Sequence, residues 1–376
     1  MKRVRLTPRD NWQQKVESLG LVYHSPEGRP YWDESVCYHL TSSEIDTLEA
    51  ATEEVQRLCL AAGQFIIDNN RFSQFRIPAA AQNVIRAAWE AEPPSIYGRF
   101  DFAYDGVNPP KLLEYNADTP TGLLEASIVQ WHWRQEMFPA TDQFNSLHEK
   151  LIAKWSDLRS NLRGKPLYFT LMRDDEDLLT VSYLRDTAQL AGIPTEHLFV
   201  RDIGWNKKTA TFRDLQDRPI ASLFALYPWE WLLRDMPEPI LATYSQMDWI
   251  EPIWKMLWSN KALLAILWEM FPNHPNLLGA YLDGPRGMTN FVRKPLLSRE
   301  GANITLHKGA SEITTPGPYG EEGYVYQALA PEWQSEGNTP VIGSWYITDT
   351  GAAGIGIREA SGITGNLSRF VPHYFD

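Results

Sequence analysis

A chain of 376 residues that is 43% hydrophobic and 22% charged is an ordinary globular protein, long enough for two or three packed units around a substantial core. Its 47 acidic residues against 35 basic ones leave a net charge of −12, which excludes nucleic-acid binding built on phosphate neutralisation and suits small-molecule or cationic partners. Cys37 and Cys59 are the only cysteines, too few for a disulfide framework or a cysteine zinc site, and both are expected to be buried thiols.

In chain order, residues 1–9 are basic but no apolar run follows them, so they are not read as a signal peptide. No later stretch is long and apolar enough for a membrane span, and a soluble, cytoplasmic protein is expected. Residues 43–70 are predicted helical, opened by Ser43 with Asp46 three positions on and carrying Leu48, Ala51, Val55 and Leu58 on one face. A second helix is predicted at 78–90. Residues 98–104 and 111–116 read as two strands of a hairpin joined by the turn-rich Asp105-Gly106-Val107-Asn108-Pro109-Pro110. Thr119-Pro120-Thr121-Gly122 then introduces a helical run at 123–135; its start is either a docking point for an anion or ordinary threonine capping.

From 167 the pattern alternates strand (167–172), helix (178–191) and strand (196–200), an α/β rhythm, and an apolar strand at 221–226 is closed by Tyr227-Pro228-Trp229-Glu230-Trp231. Asp174-Asp175-Glu176-Asp177 either attracts a polycation or merely opens the following helix, where negative charge suits the dipole. Lys261 begins a helix over 261–270. Lys294 ends an apolar strand at 290–297, and the polar, glycine-containing residues 298–303 follow as a loop able to fold over phosphates. Strands are expected at 325–328, 341–348 and 354–358. Gly351-Ala352-Ala353-Gly354-Ile355-Gly356 lies between two of them and reads as a hairpin turn rather than a dinucleotide fingerprint, and no Gly-x-x-x-x-Gly-Lys-Ser/Thr loop occurs. The 15 tryptophans suggest sugar stacking, but Trp131, Trp133, Trp254, Trp258 and Trp268 lie in helix-like stretches where core packing is the commoner use.

The hairpin carries the clearest chemistry. Alternation along a strand puts Arg99 and Asp101 on one side and Phe100 and Phe102 on the other, and separates Glu114 and Asn116 from Leu113 and Tyr115. Two carboxylates, a carboxamide and a guanidinium on one face suit magnesium and phosphate, because Mg²⁺ takes oxygen ligands and commonly needs only one or two carboxylates. Mutual pairing of Arg99 and Asp101 on a solvated face is the alternative.

Taken together, Arg99-Phe100-Asp101, Glu114-Tyr115-Asn116-Ala117-Asp118, Tyr227-Pro228-Trp229-Glu230, Arg293-Lys294-Pro295 with the 298–303 loop, and Gly356-Ile357-Arg358 closely resemble the synthetase domain of the glutathionylspermidine and trypanothione synthetase family, over nearly the whole chain. The resemblance implies an α/β (α+β) protein with an ATP-grasp fold and a pre-ATP-grasp-like α/β substrate domain. Its approximate division is 1–120 with 320–376 as ATP-grasp core, 121–255 as the substrate side and 256–319 as the lid region. It implies ATP and Mg²⁺, phosphorylation of a carboxylate, and attack of an amine on the acyl phosphate.

By position, Asp101, Glu114 and Asn116 resemble the metal ligands and Arg99 the residue that stabilises the transferred phosphoryl group. Phe100, Lys261, Lys294, Glu300, Gly301, Gln327, Ala328, Leu329 and Ile363 resemble the rest of the ATP site, with Gln327 to Leu329 beside adenine. Thr119, Thr121, Glu230 and Arg358 resemble the acyl-donor contacts, and Asp175 and Glu176 those of the amine. The family's paired serines are here Thr119 and Thr121 around Pro120, which stiffens the turn, so glutathione is not carried over. No cysteine amidase segment precedes these motifs, and a hydrolytic half-reaction is not expected. The competing readings are an ATP-binding protein with residual ATPase only, and a glycoside hydrolase using Asp101 and Glu114 with tryptophans stacking the sugar.

Overall fold

The computed structural model describes residues 1–331, 333–365 and 368–376. Its centre is an antiparallel five-stranded sheet in the order Arg369–Val371, Gly351–Ala360, Thr339–Ile347, Tyr97–Ala103, Lys111–Asn116. A second antiparallel sheet runs Ala280–Tyr281, Tyr324–Ala328, Asn290–Pro295, Thr305–Lys308, Ser311–Thr314. Asp248–Ile250, Ser222–Leu226, Leu167–Leu171 and Thr195–Phe199 form a parallel sheet, whose interior strands Ser222–Leu226 and Leu167–Leu171 are buried throughout, as strands covered on both faces are. Lys2–Arg5, Val36–Leu40 and His373–Phe375 bring the two chain ends together in a small sheet.

The helix Ser42–Asp68 packs Leu48, Ala51, Val55, Leu58 and Ala62 into the core. Its start differs from the sequence expectation. The cap is Thr41, whose hydroxyl accepts from the Glu44 amide while the Glu44 carboxylate accepts from the Thr41 amide, a capping box two residues earlier than Ser43 and Asp46. Glu44 is further anchored by the amino terminus of Met1. The helix Ala79–Ala91 follows as expected.

Tyr227 to Trp231 do not simply close a strand. The strand ends at Leu226, and Pro228 caps the helix Trp229–Asp235, whose missing proline N–H costs nothing at that position. The glycine-rich stretch is also different: the turn is Thr348-Asp349-Thr350, and Gly351 already starts the strand Gly351–Ala360. The helical run after Gly122 contains a wider π turn at Glu125–Val129 before Gln130–Met137. Cys37 and Cys59 are buried free thiols, as expected. The tryptophans Trp133, Trp254 and Trp258 are buried, while Trp131 and Trp268 are partly covered, Trp268 packing on the main core. Among the described residues no helix is long and apolar enough to cross a membrane.

Candidate active site

The two five-stranded sheets face each other across a cavity of about 650 Å³. Side-chain bonds join the sheets at its floor: Lys294 Nζ donates to the Leu113 carbonyl at 2.8 Å, and Gln327 Nε2 donates to the Leu112 carbonyl at 2.9 Å. Lys294 and Gln327 also bond each other at 2.8 Å.

The hairpin presents its polar face to this cavity as alternation requires. Arg99 lies opposite Asn116 and Asp101 opposite Glu114, with a bulge after Asp101. Asp101 takes a bidentate pair from Arg99 at 2.7 and 3.0 Å, and Arg99 Nη1 donates to the Thr121 carbonyl at 2.7 Å. The fork is thereby fixed while N–H groups on Nη1 and Nη2 are left for a ligand oxygen. Trp345, opposite Arg99 on the neighbouring strand, stacks beneath the guanidinium at 5.7 Å. Gly343, opposite Asp101, leaves room for this arginine, since a Cβ there would stand 2.9 Å from Arg99 Cδ.

Asn116 Nδ2 bridges Asp101 and Glu114 at 3.3 Å each. Glu114 pairs with Lys261 at 3.0 Å, and Lys261 also donates to the Ser298 carbonyl at 2.7 Å. Burial pushes the Glu114 carboxyl up, but the ammonium groups of Lys261 and Lys294 and the bonds from Lys261 and Asn116 outweigh it and bring it down to about 2. Burial lowers Lys294 to about 8 against the pull of Glu114. Burial likewise raises Asp101, opposed by Arg99.

This donor set fits a hard divalent cation. No group of three or more His, Cys, Asp or Glu among the described residues is arranged around a metal, but Mg²⁺ is ordinarily held by one or two carboxylates together with substrate phosphates. Asp101 and Glu114 on adjacent strands with one carboxamide between them meet that requirement, and turning the Asn116 amide would offer its oxygen in place of its nitrogen.

Lys261, Lys294, Glu300, Gly301, Gln327, Ala328, Leu329, Ile363, Thr119, Thr121, Glu176 and Arg358 all line the same cavity. Three expected residues do not. Phe100 is a core side chain, fully buried and stacked on Tyr115 at 3.9 Å on the oily face of its strand, so alternation overrules its assignment to the nucleotide. Asp175 is exposed and off the cavity wall, where Asp174 and Asp177 stand instead; Asp174 caps the helix Asp175–Leu190. Glu230 reaches the site indirectly, through Arg299 at 3.2 Å. The threonines of the 119–121 turn are tied to neighbours across the cleft: Thr121 donates to Glu176 at 2.7 Å, and Thr119 accepts from Arg299 at 2.6 Å.

Sequence reasoning named the loop but missed Arg299 itself, because an arginine beside Glu300 and Gly301 is by composition an ordinary surface residue. Asp177 it named only within the acidic run 174–177, choosing Asp175 and Glu176 as the contacts. Burial, with Asp174, Glu176 and Glu300 close by, pushes the Asp177 carboxyl up to about 7.

The glutathionylspermidine synthase preATP-grasp family model matches residues 3–376. A Haemophilus influenzae protein provisionally named an acid–amine ligase is 41% identical over 397 aligned positions covering 100% of both chains. Trypanothione synthetase of Crithidia fasciculata is 27% identical, over 82% of this chain and 51% of its own length. The bifunctional glutathionylspermidine synthetase/amidase of Escherichia coli is 26% identical, over 85% of this chain and 56% of its own length. The chain thus spans only about half the length of these two relatives. Among solved structures, a glutathione synthetase-like effector of Globodera pallida shares the fold, with a TM-score of 0.60 at 8% identity over 99% of this chain and 98% of that one. The chain therefore belongs to the glutathionylspermidine synthase preATP-grasp family, with the mixed α/β architecture of an ATP-grasp ligase.

Proposed function

We propose that this enzyme joins a small peptide-like carboxylic acid to an amine, with ATP converted to ADP and phosphate through an acyl phosphate. The observation that carries the reading is the wall on which Arg99, Lys261 and Lys294 stand among Asp101, Glu114 and Asn116, with oxygen donors and cations interleaved on one cavity. Phosphoryl transfer asks mainly for charge neutralisation and positioning, and such a wall supplies both without a nucleophilic side chain.

Asp101, Glu114 and Asn116 would hold Mg²⁺, which when bound neutralises phosphate charge. Lys261 is engaged by the Ser298 carbonyl and Glu114, and Lys294 by the Leu113 carbonyl and Gln327, so each ammonium keeps one N–H for a phosphate oxygen. Gln327 to Leu329 and Ile363 would border the base. A donor carboxylate oxygen attacks the terminal phosphorus, ADP departs, and Arg99, anchored to Asp101 and Thr121, offers its remaining N–H groups to the moving phosphoryl group. The amine nitrogen then attacks the acyl carbon, phosphate leaves with the bonding electrons, and the nitrogen gives up a proton. Arg358, Glu230 and the 119–121 turn would position the donor, and Glu176 with Asp174 and Asp177 would face the cationic amine.

The hydrolase reading leaves Lys261, Lys294 and the 298–303 loop without a role, and both carboxylates it would use are already paired, Asp101 with Arg99 and Glu114 with Lys261. A screen of acids and amines for Mg·ATP-dependent ADP release, with hydroxylamine to capture an acyl phosphate, tests the proposal. Hydroxamate should form with one acid in the absence of amine and vanish in Asp101→Asn. Absence of any nucleotide-induced thermal shift in the wild type would refute it.

A further inference from the structure

Arg299 sits in the 298–303 loop, yet its head lies across the cleft. Nη1 donates to Thr119 Oγ1 at 2.6 Å, Nη2 to Glu230 Oε1 at 3.2 Å, and Nη2 stands 3.7 Å from Asp118 Oδ1. Two polar atoms at this junction are buried without a hydrogen-bond partner: Nε of Arg299 and Oδ2 of Asp118. Asp118 is 2% exposed, and its other oxygen is fixed by the Ser259 hydroxyl at 2.6 Å. A buried donor or acceptor left without a partner is costly, because it has lost its hydrogen bonds to water. The 3.7 Å contact is to Asp118 Oδ1, the oxygen that Ser259 also holds, and a displacement of the guanidinium by about 1 Å brings it into hydrogen-bond range, while Oδ2 of the same carboxylate stands without a partner.

We infer that Arg299 is a positioning residue with two seats, one on Thr119 and Glu230 and one on Asp118, and that the acyl donor drives it from the first to the second. The inference rests on the ligase reading, which gives Thr119 and Glu230 to the donor. Arg299 in the first seat occupies the donor's own contacts, so the two are mutually exclusive. Asp118 supplies a charged acceptor on which the displaced guanidinium settles. The move is felt by the phosphate loop because Glu300 and Gly301 follow directly in the chain. Gly301 has φ +71°, and a Cβ on it would lie 2.5 Å from the Thr364 carbonyl. Gly365, the next residue, accepts from Arg358 at 2.7 Å. Donor occupancy is thereby transmitted to the loop over the phosphates and to the segment beside Arg358.

Hydrogen exchange of the amides of residues 299–303 in the ligand-free protein tests this without any substrate. Thr119→Val with Glu230→Met removes the first seat, Asp118→Asn removes the charge of the second while keeping an oxygen for Ser259, and the triple variant combines the three substitutions. Either seat should hold the loop alone, so exchange rises less than about threefold in the first two proteins and more than tenfold in the triple, a non-additive cycle. Arg299→Gln loses both seats in one step and should match the triple variant, which guards against misfolding of the multiple substitution. A full rise on loss of the first seat, or no added effect of Asp118→Asn, would overturn the inference. A protein that shows the non-additive cycle but releases no ADP with any acid and amine would instead refute the ligase reading and leave the two seats standing.

Discussion

Replacing Glu114 by Gln removes one charge while keeping the side chain's shape. In the ligand-free protein this carboxylate faces Lys261 at 3.0 Å and lies in the field of Lys294. Its pKa falls from 4.5 to about 2 on folding, and a shift of that size corresponds to roughly 3 kcal/mol of linkage. The side chain is 29% exposed, so screening reduces the figure to about 2 kcal/mol. For a chain of this size that is a fall in Tm of about 4 °C. The sign follows from the lowered pKa: the stabilisation is complete above 4.5 and is lost as pH drops towards 2, so the gap between wild type and variant should be steady from about pH 5 to 7.5 and shrink under acid. Tripolyphosphate without metal should narrow the gap by neutralising the two ammonium groups. Calorimetry across this pH range reads all three effects. A variant as stable as wild type at pH 7, or a gap that widens on acidification, would refute the charge balance drawn here.

Arg99→Lys keeps the charge but loses the fixed fork, and should lower kcat roughly a hundredfold with KM for ATP changed less than about threefold; a loss confined to ATP affinity would make Arg99 a binding residue only. Gly343→Ala should cost at least about tenfold in turnover with little change in Tm, because the added methyl meets Arg99 Cδ at 2.9 Å; unchanged turnover would show that the arginine tolerates displacement. Phe100→Ala should lower stability by roughly 3–5 kcal/mol without a specific effect on ATP affinity, and the reverse pattern in calorimetry and nucleotide titration would return it to the ATP site. Asp177→Asn should stabilise the protein. The wild-type carboxyl is raised to about 7, so its stability contribution is lost as pH rises from its unfolded value through 7, and the variant's advantage should grow from pH 5 to 8, reaching on the order of 1–2 kcal/mol; a constant Tm difference would refute the shift.

The parts of this fold that were legible in the sequence are those set by neighbours in the chain. Alternation alone places Arg99 and Asp101 on one face and Phe100 and Phe102 on the other, and the structure keeps that division. Phe100 shows the limit of motif matching: inclusion in a functional triplet said nothing about direction, which the strand period already fixed. The helix start at Thr41 was hidden because Ser43 with Asp46 satisfies a capping pattern as well as Thr41 with Glu44. A contact with Met1, far away in sequence, holds the second pair. Lys294 shows a third case. Its strand was readable, but its bonds to Leu113 and Gln327 are pairings between separate sheets that leave no periodic trace.

The charge of the whole chain hides that of the site. A net −12 looks unpromising for a polyanion, yet Lys261 and Lys294 line the cavity together around the Glu114 carboxylate. Asp174, Glu176 and Glu300 gather around Asp177, and these four carboxylates outnumber Arg299 and Arg358 among the residues that line the same cavity. Low-dielectric walls make such local differences count for more than distant surface charge, which salt screens within about 8–10 Å. On the ligase reading this gradient has a direction. A triphosphate is favoured beside Lys261 and Lys294 and a cationic amine beside Asp174 and Asp177, and the reacting carboxyl carbon is held near Arg99, which lies in the field of both Glu114 and Glu176 and is joined to Thr121 by a hydrogen bond. The carboxylates that raise Asp177 are thus the same groups that would draw in an ammonium ion, and their mutual repulsion in the ligand-free protein is relieved when it arrives.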